Sequence, residues 1–76
     1  MPKLPAVSAR EVIAALRRAG FAVDRQEGSH VILVHDSRQA VAVVPLAGGR
    51  DIPTGTLRKI LRQAGLSVTQ IVELLK

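Results

Sequence analysis

The stretch Gln26-Glu27-Gly28-Ser29-His30-Val31-Ile32-Leu33-Val34-His35 decides how this chain folds. Gln26 to Gly28 turns the chain, since glycine enters tight turns without a Cβ penalty. Ser29 to His35 then forms a strand rich in β-branched residues. Alternation along the strand puts His30, Ile32 and Val34 on one face and Val31, Leu33 and His35 on the other.

Partner strands lie on both sides of this one. Upstream, Phe21, Val23 and Arg25 alternate with Ala22 and Asp24, the pattern of a short half-buried strand. Downstream, Asp36-Ser37-Arg38-Gln39 is a polar loop whose aspartate favours a turn. Ala40 to Val44 follows as a third strand, stopped by Pro45. The connections are short, so the three strands should form an antiparallel meander. Ala47-Gly48-Gly49-Arg50-Asp51 has the composition of a mobile loop.

Helices flank the strands. Pro2 and Pro5 keep the entry extended. Ser8 and Glu11 have capping-box spacing, with Val7 and Val12 placed for a hydrophobic staple. Val12, Leu16 and Ala19 repeat at helical spacing, which predicts a helix over 9–19 closed by Gly20, with Phe21 folding back on Leu16. Pro53 or Thr54 opens a second helix, as N1 proline or N-cap threonine. Its apolar face carries Leu57, Ile60, Leu61 and Ala64, and it ends at Gly65. Ser67 and Gln70 form another capping box, launching a short helix that carries Val68, Ile71, Val72 and Leu75. The reading is an α+β fold of order α-β-β-β-α-α, residues 1–76 forming one domain. A three-stranded meander alone would be marginal, so the helices are expected to pack on one sheet face.

Composition narrows the function. The 76 residues are 47% hydrophobic, which indicates a globular chain with a small core. Phe21 is the single aromatic residue, so base stacking on several aromatic side chains is excluded. With no cysteine there are no disulfides, thiolate nucleophiles or Cys-type zinc sites, as in a cytoplasmic protein. Apolar runs fall well short of the ~18 residues of a membrane span, and the first residues lack a signal-peptide core. Eleven Lys and Arg against six Asp and Glu leave a net charge of +5, which suits a polyanion or an acidic protein partner.

Two places could carry chemistry. The start of the second helix, Thr54-Gly55-Thr56, offers backbone N–H groups and hydroxyls to an anion, with Arg58 and Lys59 in the next turn. Arg58, Lys59 and Arg62 lie opposite the apolar face of that helix, where they serve either a polyanion or plain solvation. His30 is the other place, following the small residues Gly28 and Ser29, in a chain with few other groups for acid–base work near neutral pH. A lone histidine at a strand start is also a common structural residue. His35 points to the other sheet face, so the two histidines do not share a metal. There is no G-x-S-x-G elbow and no Walker loop.

Gly28-Ser29-His30 after a helix and a short strand, a Pro45-terminated strand, then Gly55-Thr56-Leu57, Ile60-Leu61 and Ala64-Gly65-Leu66 together resemble the HicA family of toxins. The match runs from about Ser8 to Leu75. The resemblance implies a fold like that of double-stranded-RNA-binding domains and a HicB-type antitoxin as partner. It further implies a metal-independent endoribonuclease that acts on mRNA without a cofactor, centred on the motif histidine. That role falls on His30, with Gly28 and Ser29 beside it. Gly28, Ser29, Gly55, Thr56, Arg58, Lys59 and Arg62 are the expected RNA contacts. Two other classes stay open: a non-catalytic RNA-binding module and a protein-interaction domain.

Overall fold

Ser8 starts the first helix in a computed structural model that describes residues 3–76. The extended entry expected at Pro2 therefore lies outside the described residues. Helix α1 (Ala9–Arg18) has the full capping box: Ser8 Oγ accepts from Glu11 N–H at 3.3 Å, and Glu11 Oε1 accepts from Ser8 N–H at 3.0 Å. Val7 and Val12 are both buried in one apolar cluster, as a staple requires. The helix ends one residue before the expected Ala19, which becomes the C-cap. Gly20 N–H then bonds to Arg17 C=O and Phe21 N–H to Leu16 C=O, each at 3.0 Å, the two bonds of a Schellman ending.

The sheet is an antiparallel meander of β1 (Ala22–Glu27), β2 (His30–His35) and β3 (Ala40–Pro45), in that spatial order. Two boundaries differ from expectation. Ser29 belongs to the turn, leaving His30 as the first strand residue, and Pro45 is the last residue of β3. The pairing of Val31 with Val44 and Leu33 with Ala42 puts these residues on one face, where all four are buried.

The expected half-buried first strand is corrected by the structure. Phe21 is buried but precedes β1, and all six residues of β1 are exposed. β1 is an edge strand, and its ladder is irregular between Val23 and Arg25. Val23, opposite Leu33, is 48% exposed for that reason.

Helix α2 (Thr54–Ala64) buries Leu57, Ile60, Leu61 and Ala64, as its periodicity requires. Its start departs from both expected forms. Pro53 takes the N-cap position in extended backbone (φ −57°, ψ 144°), Thr54 is already helical, and no side chain caps the first turn. Leu57 N–H bonds to Pro53 C=O at 2.9 Å, closing the first helical ring. Helix α3 (Val68–Leu74) has the Ser67–Gln70 capping box and fully buries Ile71. The Ala47–Gly49 segment is a 3₁₀ turn, and Asp51 beyond it bridges to Ser8.

The main core joins Val12 and Leu16 of α1, Leu57, Ile60 and Ala64 of α2, and the four buried residues of the inner sheet face. A second cluster, Ala15, Leu61 and Ile71, fastens α3 to the other two helices. Among the described residues no polar side chain is buried. The other sheet face carries His30, Ile32, Val34, Val41 and Val43, of which Ile32 is buried and Val41 is exposed.

Candidate functional site

The site grows out of the β1–β2 hairpin. Gly28 has φ 57° at the first central position of a two-residue turn, while Ser29 keeps an ordinary negative φ. These are the signs of a type II′ turn, which favours glycine at that first position. Gln26 Nε2 donates to Gly28 C=O at 3.1 Å, and Ser29 C=O accepts from Leu46 N–H at 2.7 Å. The hairpin end is thus tied to the exit of β3, and His30 emerges at a fixed place, exposed to solvent.

His30 lies opposite Pro45 on β3 and opposite Glu27 on β1. Directly opposed residues of an antiparallel pair have Cβ atoms about 4.5–5.5 Å apart, so Glu27 is the carboxylate closest to His30 along the ladder. Arg25 Nε lies 3.5 Å from Glu27 Oε2, and Arg25 also donates to Asp24. The hydrogen bond to Asp24, with Glu27 next in weight, raises the Arg25 pKa above its ordinary value.

Helix α2 supplies the other wall. His30, Val43 and Pro45 from the sheet and Thr56, Lys59, Ile60 and Gln63 from α2 line one cleft of about 280 Å³. Thr56, Lys59 and Gln63 recur at i, i+3 and i+7, so they form one stripe of the helix. Gln63 fixes the distance between helix and sheet, since its Oε1 accepts from Val43 N–H at 3.1 Å. Val43 sits on the edge of β3, and this bond covers an otherwise open strand edge.

The expected site residues therefore divide. His30, Thr56 and Lys59 share the cleft, and Gly28 and Ser29 form the turn that places His30. Gly55 lies exposed in the uncapped first turn of α2. Arg58 and Arg62 are not brought to His30. They line a separate depression with Leu61, Leu66, Ser67 and Val68, where α2 turns into α3. Their rotation around the helix, ~100° per residue, carries them away from the Thr56–Lys59–Gln63 stripe.

Sequence reasoning missed Glu27 and Gln63. Counting Gly28-Ser29 as a two-residue hairpin would have set Glu27 against His30. Gln63 has a weaker signal, being four residues beyond Lys59 on a polar face. Its bond to Val43 crosses from helix to sheet and has no trace in local sequence. His35 has a structural setting on the helix-covered face. Its ring meets Phe21 edge-on at a centroid distance of 5.1 Å, and its Nδ1 accepts from Arg38 N–H at 3.3 Å.

These features define a small, basic α+β protein with a cleft of mixed polar and apolar lining between one end of its sheet and a flanking helix. The chain belongs to the HicA family: the description "HicA toxin of bacterial toxin-antitoxin" matches residues 9–66, well over half of it. The matched span contains the hairpin, His30 and the whole of α2. The curated proteins contain no match to it. Among the described residues no helix is long and apolar enough to cross a membrane.

Proposed function

We propose that this chain is the toxin of a HicAB-type pair, an endoribonuclease that cleaves mRNA and so blocks translation, with His30 as its acid–base group. The observation that carries this reading is the shared cleft of His30, Thr56 and Lys59 in a chain of the HicA family. RNA supplies its own nucleophile. The 2′-OH loses a proton, its oxygen attacks the adjacent phosphorus, and the bond to the 5′ oxygen breaks as that oxygen gains a proton. Such a reaction needs a base, an acid and positive charge beside the phosphate.

His30 serves as one of the two proton-transfer groups, a role that typically contributes ~10²–10⁴-fold. Lys59 places an ammonium in the same cleft, where it offsets the charge that builds on the phosphate oxygens. Thr56 adds a hydroxyl donor. Glu27, opposite His30 on the neighbouring strand, is the nearest partner to orient the imidazole or share the proton traffic. A HicB-type antitoxin that covers His30 or the cleft would silence the toxin.

The test is His30→Ala. The folded variant is expected to lose both growth arrest and RNA cleavage, while circular dichroism and thermal unfolding stay unchanged, since His30 is exposed. A folded variant that still cleaves RNA at the full rate would overturn the reading.

A further inference from the structure

We infer that the cleft between β3 and α2 is a pocket for a single unpaired nucleotide, and that Gln63 selects a base with a keto oxygen at the uracil O4 or guanine O6 position. This deepens the ribonuclease reading and rests on it for the identity of the ligand as RNA. Three observations carry it.

The first is size. At about 280 Å³ the cleft lies just below the ~300–1,000 Å³ range of small-molecule sites. Such a volume suits one flat group the size of a nucleobase. The second is its chemical layering. Val43, Pro45 and Ile60 provide an apolar surface for a base, while His30, Lys59 and Thr56 provide the groups suited to ribose and phosphate. Because Phe21 is buried and is the chain's single Phe, Tyr or Trp, the cleft has no such stacking platform, and a base is held there by aliphatic contact, the His30 ring and edge recognition.

The third is the orientation of Gln63. A backbone N–H can only donate, so the atom that meets Val43 N–H at 3.1 Å has to be the carboxamide oxygen. With Oε1 engaged, the remaining polar end of the side chain is the Nε2 donor pair. A donor fixed in this way meets an acceptor in uracil O4 or guanine O6. It opposes the exocyclic amino groups of adenine and cytosine, which are donors themselves. In a duplex that edge faces the deep, narrow A-form major groove, which side chains cannot read, so the substrate is single-stranded at the bound position.

The experiment exchanges the donor for an acceptor. In Gln63→Glu, one carboxylate oxygen still accepts from Val43 N–H and the other presents an acceptor to the base. Cleavage sites on a randomised RNA pool are sequenced for wild type, Gln63→Glu and Gln63→Ala. In parallel, His30→Ala protein, with and without each change at position 63, is titrated with fluorescent U5, A5 and C5 oligonucleotides. Wild-type sites should be enriched in U or G at one fixed position, and U5 should bind about five- to tenfold tighter than A5 or C5. Gln63→Glu should shift both preferences toward A and C, whatever its overall rate, and Gln63→Ala should flatten them. Base preferences identical in all three proteins would overturn the inference, leaving the ribonuclease reading intact if RNA is still cut. A binding preference that follows residue 63 in a protein that cuts nothing would support the pocket while refuting the ribonuclease reading.

Discussion

At the scale of single residues, Gly20 shows how one position can serve two requirements. Its φ of 102° lies where side-chain-bearing residues are strained, and a Cβ built there would sit 2.6 Å from His35 Nε2. Gly20→Ala is expected to cost about 1–3 kcal/mol, read as a lower urea midpoint with an unchanged slope. Because His35 is packed against Phe21 on the helix-covered face, the same substitution should displace its ring and leave His30 in place. Glu27 makes a second prediction at this scale. Glu27→Gln keeps a polar group opposite His30 but removes its charge. If Glu27 takes part in proton transfer, cleavage should fall by at least tenfold with stability unchanged; an unaltered rate would leave it only a partner of Arg25.

At the scale of elements, α2 presents different residues on different sides, and its basic residues should not behave alike. Lys59 lines the cleft with His30, whereas Arg58 and Arg62 line the depression beside α3. Lys59→Ala should therefore lower kcat/KM by an order of magnitude or more, and the double change Arg58→Ala with Arg62→Ala should lower it far less. Equal losses would mean that the basic face of α2 acts as a uniform charge. The strands make a comparable contrast. Leu33 is fully buried on the inner face, so Leu33→Ala should cost roughly 2–5 kcal/mol. Val41 on β3 is 49% exposed, and Val41→Thr should stay within about 0.5 kcal/mol.

At the scale of the whole molecule, the proposed RNA binding by a chain with a net charge of +5 on 76 residues should depend on salt. For single strands log K falls by about 0.7 per phosphate neutralised for each decade of salt. Titrating His30→Ala protein with a short RNA across salt concentrations should give a linear plot. Lys59→Ala should flatten its slope by about 0.7, whereas Gln63→Ala should change the affinity and leave the slope alone. The proposed division of labour inside the cleft, charge from Lys59 and selectivity from Gln63, is thereby separable by measurement.

Local sequence determined most of the secondary structure. Both capping boxes, the Schellman ending at Gly20, the glycine turn at Gly28 and the alternation of β2 depend on residues a few positions apart, so their physics is written in short windows. The order of elements followed from the same periodicities, whereas β2 is apolar on both faces and its inner face was set by packing. His30 was legible because a glycine turn and a strand start fix its position locally. What only the tertiary structure decided was lateral placement. β1 is exposed because it lies at the sheet edge away from α2, which no alternation within β1 could reveal. Arg58 and Arg62 separate from Lys59 because α2 lies against β3 at one particular rotation. Gln63 enters the site through a single bond to Val43, twenty residues away in sequence. Contacts of that kind are made between elements, and the residues that make them have no local preference to betray them.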